Sequence, residues 1–315
     1  MQATTIALLT DFGTHDVYVG VMKGIIAQIA PDARLIDLTH EIPPGDVRAG
    51  AFRLWQAHPF MPPGTVFLAV VDPGVGTVRR PVAVSAQGFI CVGPDNGLFT
   101  YLLARCSDAR AVELAGPGDA RAAELHAQAL HGPAVSATFH GRDIFAPAAA
   151  RLAAGLALGK LGPEVADLTL LPYPCLELAS AREGWRDSMP RTGTLGGAAR
   201  DSCASLTGLA VRGEVLCTDR FGNLVTSIGA LRRAADGLRL EPWLPTCPAA
   251  ILPATGLRAR LENSAEFPFA STYGDVSPGS PLAYVGSDGL LEIGVNRGRA
   301  VDLFPLVLGA EVILF

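Results

Sequence analysis

The stretch IALLTDFG, residues 6–13, decides the fold of the first half of this chain. Ile6–Thr10 is a short run with no charged residue, and such a run predicts a strand that is buried on both faces of a sheet. Asp11-Phe12-Gly13 ends the strand, and Val17–Ala30 follows with the spacing of a helix that closes at Pro31. A buried strand, a polar loop and a helix together predict the first unit of an α/β layer.

The same alternation continues through the first half of the sequence. It predicts strands at Leu35–Leu38, Val66–Val71, Val82–Val84 and Phe89–Val92, and helices at Asp46–His58, Leu98–Ala104 and Ala146–Leu158. We therefore expect an α/β fold with an N-terminal Rossmann-like, mainly parallel sheet. Ligands of such sheets bind beyond the carboxyl ends of the strands, where Asp11 and Asp72 are expected to lie.

The second half has a different pattern. Short apolar runs separated by turns predict strands at Gly213–Cys217, Asn223–Thr226, Leu282–Val285 and Leu290–Ile293. This pattern is typical of a smaller antiparallel β-barrel domain. Between the halves, residues 176–205 are rich in Gly, Ala, Arg and Ser without periodicity, which indicates a linker or insertion. The predicted organisation is an α/β domain at 1–175, this linker at 176–205, and a barrel domain at 206–315.

Composition and missing motifs exclude several classes of function. The 315 residues carry a net charge of −5 with no basic run, which argues against nucleic-acid binding. No apolar run reaches the ~18 residues of a membrane helix, and no secretory signal begins the chain. The six cysteines contain no CxxC pair, so reduced thiols and a soluble cytoplasmic enzyme are expected. GxGxxG, GxxxxGK[ST], GxSxG and HExxH are all absent.

Three loops of the first domain place ionisable groups beside glycine: Thr10–Gly13, Val71–Arg80 and Thr138–Asp143. Glycine permits the close backbone approach that a loop around a small ligand requires. Each loop also has a purely structural interpretation. In the first loop, Asp11 could be a helix N-cap. In the second, Asp72 and Arg79 could be a surface ion pair, and in the third, His140 could be a structural histidine.

Two segments of the second domain have a similar composition. Cys217–Thr226 contains Asp, Gly and Asn in the order that suits a hairpin turn. Val285–Asn296 contains Ser-Asp-Gly between two predicted strands, which is again a strong turn signal. A ligand site and an ordinary turn are both open interpretations at these positions.

Taken together, these segments resemble a known family. The ordered motifs LLTDFG, HEIPPGDVRAGAF, VDPGVGT, GPDNG, TFHGRDIFAP, DRFGNLVTSI and SDGLLEIGVN span nearly the whole chain. They are similar to those of the S-adenosylmethionine hydroxide adenosyltransferases, or S-adenosylmethionine hydrolases, which are related to the adenosyl-fluoride and adenosyl-chloride synthases. Residues 176–205 have no clear counterpart in that pattern.

The resemblance implies a reaction and an assembly. Water would attack C5′ of S-adenosylmethionine in line and release adenosine and methionine, with no cofactor and no metal. The enzyme would be a homotrimer that binds its substrate between the N-terminal domain of one subunit and the C-terminal domain of the next. Asp72, Arg79 and His140 match the family's water-activating set, and Asp11 would accept hydrogen bonds from the ribose hydroxyls.

The resemblance also implies residues for the rest of the substrate. The methionine amine and carboxylate would be bound by Asp219, Asn223 and Ser287. The adenine or sugar would be surrounded by Phe221, Tyr273 and the backbone near Val295.

The same comparison favours water over halide. The positions of Asp72 and His140 carry tyrosine in the halide-using relatives, and Gly141 is serine in the fluorinating branch. One departure lies at Gly45, where some relatives place an aromatic residue against the substrate.

Elementary chemistry limits the roles within the water-activating set. Arginine stays protonated, so Arg79 cannot be the base, and it is expected to hold Asp72 as an ionised partner. Asp72 and His140 would share the water, with His140 the favoured proton acceptor near neutral pH. Three alternatives remain: a metal-dependent hydrolase built on Asp11, Asp72 and His140, a non-catalytic S-adenosylmethionine binder, and a chloride-transferring synthase.

Overall fold

The computed structural model describes residues 4–114, 135–180, 209–262, 264, 266–305 and 308–315. They form two compact units, divided between Pro172 and Tyr173. No helix within these ranges combines the length and the apolar character that crossing a membrane requires.

The N-terminal unit alternates strands and helices as the sequence predicts. Its strands are β1 (Thr5–Thr10), β2 (Arg34–Thr39), β3 (Val66–Val70), β4 (Pro81–Ala86), β5 (Phe89–Pro94), β6 (Arg110–Glu113) and β7 (Glu164–Val165). Its α-helices are α1 (Tyr18–Ile29), α2 (Val47–Ala57), α3 (Thr100–Leu103) and α4 (Ala146–Ala153), with 3₁₀ turns at His58–Phe60 and Leu158–Lys160 and a π-helical turn at Gly141–Phe145.

These strands form one seven-stranded sheet in the order β2-β1-β3-β5-β4-β6-β7. The pairs β1–β2, β1–β3 and β3–β5 are parallel, whereas β4–β5, β4–β6 and β6–β7 are antiparallel. The sheet is therefore mixed, which corrects the expectation of a mainly parallel one. Only a short turn joins β4 to β5, and a turn of this kind produces an antiparallel hairpin, whereas parallel pairing needs a long crossover.

Strand β1 lies at the centre of the core, with every residue buried. Ile6 and Leu8 face one layer, which contains side chains of α1 and α4. Ala7 and Leu9 face the other layer, which contains side chains of α2 and α3. Helices therefore cover both faces of the sheet, as the uninterrupted apolar run of this strand predicts.

The strand order also determines where a ligand can approach. The chain leaves β1 for β2 on one side and returns to β3 on the other side of β1. Such a reversal opens a crevice outside the carboxyl ends of the two central strands. Asp11 follows β1 and Asp72 lies two residues beyond β3, so both carboxylates stand at this edge.

The C-terminal unit is composed mainly of short strands. They are β8 (Leu176–Ser180), β9 (Leu209–Thr218), β10 (Leu224–Thr226), β11 (Leu231–Ala234), β12 (Gly237–Leu240), β13 (Ala250–Leu252), β14 (Arg258–Leu261), β15 (Phe267–Pro268), β16 (Pro281–Val285), β17 (Leu291–Val295) and β18 (Glu311–Leu314). A 3₁₀ turn at Tyr273–Asp275 and helix α5 (Ala300–Leu303) complete the unit.

Eight of these strands form an antiparallel sheet in the order β15-β14-β18-β9-β10-β17-β16, with β8 also paired to β9. A bridge between Phe269 and Ala283 joins the two ends of the order, so the sheet is nearly closed and barrel-like. Strands β11 to β13 form a separate three-stranded sheet.

One strand of the second unit lies within the segment that the sequence predicts as a linker. Strand β8 begins at Leu176, where the sequence predicts the start of a linker, and it pairs antiparallel with β9. Its alternation of apolar and polar residues is too short to stand out beside the Gly- and Arg-rich sequence that follows. Residues 181–205 of the predicted linker lie outside the described residues.

Candidate active site

Asp11 connects two loops at the carboxyl edge of the sheet. Its Oδ2 accepts a hydrogen bond from the backbone N–H of Gly45 at 2.8 Å. It is not a helix cap, because α1 begins at Tyr18 and its N-cap residue, Val17, makes no side-chain cap hydrogen bond. Asp46 is the aspartate that caps a helix here, since it accepts from the N–H of residue 49 in the first turn of α2.

Asp72 and Arg79 form a buried, two-point ion pair. Arg79 Nε donates to Asp72 Oδ1 at 3.1 Å, and Arg79 Nη2 makes a very short contact with Oδ2. The two side chains are only 5% and 7% exposed, which excludes the surface-pair interpretation. A fork-to-carboxylate pair of this kind fixes the orientation of both groups.

His140 is the third member of this cluster. Its Nδ1 lies 3.0 Å from Arg79 Nη2. A guanidinium nitrogen can only donate, so Nδ1 must be the acceptor, and the ring proton of the neutral imidazole is then on Nε2. Burial lowers the pKa of His140, and the positive charge of Arg79 lowers it further, while Asp72 and Asp143 act in the opposite direction. The neutral imidazole is therefore the favoured form.

This geometry disfavours the expectation that His140 takes the proton from water. Nε2 already carries a hydrogen, and a proton added at Nδ1 would face the hydrogens of Arg79. Within the Asp72–Arg79–His140 cluster, only the Asp72 carboxylate retains unshared lone pairs and a negative charge.

Two buried donors of the cluster lack a partner among the described residues. They are Arg79 Nη1 and His140 Nε2. A buried polar atom without a partner costs about 1–3 kcal/mol, so such a pair requires an explanation. Both atoms carry hydrogen, so each suits an oxygen acceptor that has lone pairs or negative charge, such as water or hydroxide.

Glycine allows the two loops of the cluster to meet. Gly76 has φ +77°, and a Cβ at this position would lie 2.4 Å from the carbonyl oxygen of Ala137. The loop that carries Arg79 therefore lies directly against the loop that leads to His140. Phe145, on the π-helical turn that follows His140, adds a ring 5.3 Å from the Arg79 guanidinium carbon.

Sequence reasoning missed some of the residues that support this cluster. Phe145 is one of them, and Asp143 is another, because it accepts from the backbone N–H of Ser136 and thereby closes the third loop. Both belong to the motif TFHGRDIFAP, so their position beside the histidine was the available signal.

A nearby hydrogen bond positions the loop that carries Asp11. Thr10 Oγ1 and His40 Nδ1 lie 2.9 Å apart, in buried positions at the ends of β1 and β2. The backbone carbonyl of His40 also accepts from the N–H of Gly13. His40 was not predicted as a site residue, although it is the first residue of the motif HEIPPGDVRAGAF, which was the available signal.

In the C-terminal unit, Asp219 and Asn223 form the tight turn that one interpretation of the sequence predicts. The two oxygens of Asp219 accept from the backbone N–H and from Nδ2 of Asn223, both at 2.8 Å. Tyr273 joins them, because its hydroxyl donates to Asn223 Oδ1 at 3.1 Å. Three predicted substrate-binding residues are therefore connected by hydrogen bonds.

The other predicted residues of this unit are Phe221, Ser287 and Val295. Phe221 stands on the same turn with its side chain 76% exposed, which leaves the ring available to a ligand. Ser287 lies on the β16–β17 turn, 3.5 Å from Asp288. Val295 is buried at the end of β17.

Two further residues continue the Tyr273 chain and were not found from the sequence. The Tyr284 hydroxyl lies 2.7 Å from that of Tyr273 and 2.6 Å from Glu292 Oε2. Tyr284 and Glu292 are directly opposite each other in the β16–β17 pairing. The strand alternation could have shown that they share a face, but not that they reach Tyr273.

The metal-hydrolase alternative receives no support from this geometry. Across the described ranges, no group of three His, Cys, Asp or Glu side chains is arranged to hold a metal ion. Arg79 donates to both oxygens of Asp72, and its positive charge would repel a cation at that position.

Comparison with known families identifies matches in both units. The model described as the SAM hydroxide adenosyltransferase N-terminal domain matches residues 6–162, and the corresponding C-terminal domain model matches residues 213–313. A solved structure from Thermotoga maritima, titled an uncharacterized conserved protein, is 31% identical with a TM-score of 0.71 and covers 98% of this chain and 99% of its own.

Curated relatives match over nearly the full length. The chain is 40% identical to the (R)-S-adenosyl-L-methionine hydrolase of Thermus thermophilus over 304 residues, 96% of each chain. It is 39% identical to the protein of that name from Salinispora tropica, covering 96% of this chain and 95% of the relative. The fluorinase of Actinopolyspora mzabensis is more distant, at 27% identity over 98% of this chain and 95% of its own.

Proposed function

The chain belongs to the SAM hydroxide adenosyltransferase family, and from that premise we propose how its buried Asp72–Arg79–His140 cluster acts. The protein is an enzyme that hydrolyses S-adenosyl-L-methionine to adenosine and L-methionine. The relatives are named for the (R) form of the substrate, and we propose that this chain also acts on the (R) sulfonium epimer.

One observation carries the chemical proposal: two buried donors have no partner among the described residues. They are Nη1 of Arg79, which is paired with Asp72, and Nε2 of His140, whose Nδ1 accepts from Arg79. Donors fixed before the reaction stabilise negative charge that develops in the transition state. The oxygen that occupies this position would therefore be held as a water that is becoming hydroxide.

The substrate supplies the remaining reactivity. Its sulfonium makes C5′ electrophilic, and methionine leaves as a neutral thioether without an acid. The water oxygen forms a bond to C5′ on the face opposite sulfur, and the electron pair of the C5′–S bond goes to sulfur. Holding the water in line contributes up to about 7–11 kcal/mol to lowering the barrier, because a bimolecular encounter becomes an oriented step.

The proton released by the water goes to Asp72 in this proposal, and from there to solvent. His140 donates through Nε2 and serves as a hydrogen-bond donor to the oxygen rather than as the base. No cofactor and no metal take part, because neither the leaving group nor the nucleophile needs one.

Substrate binding is proposed to use both units. Asp11 has one oxygen bonded to Gly45 and would offer its other lone pairs to the ribose hydroxyls. Asp219, Asn223 and Ser287 would bind the amino-acid end, and Phe221, Tyr273 and the backbone near Val295 would line the adenosine. We propose that these two sets of residues come together between subunits of a homotrimer. We also propose that the N-terminal unit is a Rossmann-like domain.

The test is product analysis by liquid chromatography after incubation with each sulfonium epimer of S-adenosylmethionine. We expect adenosine and methionine in equal amounts, from the (R) epimer above all, with activity unchanged after dialysis against a chelator. The matched variants are Asp72→Asn and Asp108→Asn, since Asp108 is an exposed aspartate of the same unit. The first is expected to lose about 10²–10⁴-fold in turnover, the range of a lost proton acceptor.

Each alternative predicts a different product profile. A chloride-transferring synthase would form chlorinated adenosine in high chloride, and a binder would retain substrate without forming adenosine. Either result would overturn the proposal, as would a turnover of Asp72→Asn equal to that of Asp108→Asn.

A further inference from the structure

A chain of hydrogen bonds in the C-terminal unit contains more contacts than its hydroxyl groups can supply with protons. The oxygen contacts are Asn223 Oδ1 to Tyr273 at 3.1 Å, Tyr273 to Tyr284 at 2.7 Å, and Tyr284 to Glu292 Oε2 at 2.6 Å. Each of the three contacts needs one hydrogen between two oxygens. The two tyrosine hydroxyls supply only two hydrogens.

Rotating the Asn223 amide does not supply the third hydrogen. Its Nδ2 donates to Asp219 Oδ2 at 2.8 Å, and rotation would place its carbonyl oxygen against that carboxylate instead. Asn223 Oδ1 is therefore the acceptor at one end of the chain. The remaining source is the other end, the carboxyl group of Glu292.

The surroundings of Glu292 are consistent with a neutral carboxyl group. Burial raises its pKa, and the negative charges of Asp219 and Asp288 raise it further, whereas the hydrogen bond to Tyr284 acts in the opposite direction. Asp219 approaches from the β9–β10 turn, Asp288 from the β16–β17 turn and Tyr284 from β16. On the opposite neighbour, β10, the paired residue is the uncharged Val225.

Glycines make room for this arrangement. A Cβ at Gly286 would lie 1.9 Å from Glu292 Oε1, so the carboxyl group packs directly on that backbone. A Cβ at Gly294 would lie 2.7 Å from the Tyr273 ring and 3.1 Å from Asn223 Oδ1. The local sequence thus leaves space for the hydrogen-bonded chain on the face of the strand.

From the proton count we propose that Glu292 is a protonated positioning residue. Its carboxyl group donates to Tyr284, which donates to Tyr273, and Tyr273 in turn donates to Asn223. This series of hydrogen bonds holds the Asn223 amide ready for the amino-acid end of the substrate. This inference rests on the proposed function, because Asn223 and Tyr273 are proposed substrate-binding residues. It adds Glu292 and Tyr284 to them as residues that act through others.

Loss of the Glu292 proton reverses the direction of donation along this series of hydrogen bonds. An ionised Glu292 accepts from Tyr284, which then accepts from Tyr273, and Asn223 Oδ1 loses its donor. The cluster would then hold a third negative charge beside Asp219 and Asp288. Because the reacting carbon is bound elsewhere, we expect KM to rise with pH while kcat is little affected by this titration.

The first experiment uses infrared spectroscopy of the whole unliganded protein near neutral pH. We expect a carbonyl band of a protonated carboxylic acid that is lost in Glu292→Gln and retained in Glu241→Gln. Glu241 is an exposed glutamate of the same unit that pairs with Arg232. A spectrum without such a band, or a band that both variants retain, would overturn the assignment of the proton, whatever the enzyme's activity.

The second experiment measures kcat and KM from about pH 5 to about pH 9. In the parent and in Glu241→Gln, KM should rise with pH, and in Glu292→Gln that rise should disappear. Tyr284→Phe interrupts the chain and should raise KM about three- to tenfold near neutral pH, the effect of one lost hydrogen bond. A KM rise that persists in Glu292→Gln, or a Tyr284→Phe effect on kcat alone, would contradict the positioning role.

These results remain distinguishable from failure of the proposed function. If no variant and no parent sample forms adenosine, the hydrolase proposal fails while the infrared result still decides the protonation of Glu292. Folded variants are identified by thermal unfolding that matches the parent.

Discussion

The role of His140 gives the sharpest test of the mechanism, and two substitutions separate its possible functions. A neutral imidazole that accepts at Nδ1 and donates at Nε2 resembles a glutamine side chain, which also offers one acceptor oxygen and an N–H donor. Glutamine cannot take up a proton near neutral pH. His140→Gln therefore retains the donor and removes the base, whereas His140→Ala removes both.

The expected magnitudes follow from the burial and position of the ring. His140 is only 4% exposed, and its Nε2 is aimed at no described protein acceptor. Removing one fixed donor from developing negative charge lowers turnover about 10²–10³-fold, or about 2.7–4 kcal/mol. We expect a loss of that size in His140→Ala and a turnover within about tenfold of the parent in His140→Gln, where the donor is restored.

The assay is single-turnover formation of adenosine by rapid quench, with substrate affinity measured separately by calorimetry. His15→Gln is the matched control, because the His15 side chain is fully exposed. If His140→Gln is as inactive as His140→Ala while both still bind substrate, the histidine is the proton acceptor and our assignment of Asp72 to that role is wrong.

The acid side of the pH profile provides a second test of the same reasoning. The pKa of His140 is lowered by burial and by Arg79, so the neutral ring should persist below the ordinary value of about 6.5. Between the lowered pKa of His140 in the folded protein and its ordinary pKa in the unfolded chain, the unfolded chain binds more protons. The free energy of unfolding should therefore fall as the pH drops from the ordinary pKa to the lowered one. Denaturant titrations should show a weaker fall in His140→Gln than in the parent.

Three further predictions concern the framework of the site. Gly76→Ala should lower both stability and turnover, because its Cβ would meet the Ala137 carbonyl oxygen at 2.4 Å. The control Gly64→Ala, where φ is +80° and the space around the Cβ is open, should lower stability alone. Thermal melts measure the stability, and kcat measures the turnover. Asp11→Asn should raise KM about tenfold or more, since hydrogen bonds to a charged acceptor contribute about 1.5–3 kcal/mol, and an unchanged KM would exclude Asp11 from ribose binding. Leu8→Ala should lower the free energy of unfolding by about 2–5 kcal/mol in urea titrations, because Leu8 is completely buried in the layer beneath α1 and α4.

Much of the N-terminal fold was predictable because it depends on local pattern. The uninterrupted apolar run of β1 required burial on both faces, and the structure gives it helices on both faces. The mixed character of the sheet was not predictable in the same way. The β4–β5 hairpin crosses only a short turn, whereas the pairing of β4 with β6 depends on contacts between segments far apart in sequence.

In the candidate site as well, the sequence identified residues, and only the structure showed the contacts between them. The resemblance to the family identified Asp72, Arg79 and His140 as a set, because they lie in motifs that match those of the family. They did not reveal that Arg79 donates to the imidazole, across 61 positions of sequence, and so fixes which nitrogen carries the proton. That direction changes the expected role of His140 from base to donor.

By itself, then, the sequence determined several strands and helices of the N-terminal unit and a few strands of the C-terminal unit, because apolar periodicity acts over short distances. It also showed which loops carry ionisable groups and which family the chain resembles. Tertiary structure alone decided the pairing of β8 with β9, the hydrogen bond from Gly45 to Asp11, and the hydrogen-bonded chain from Glu292 to Asn223. The physical reason is that a hydrogen bond depends on the position and direction of both partners, and those are set only when distant parts of the chain have packed together.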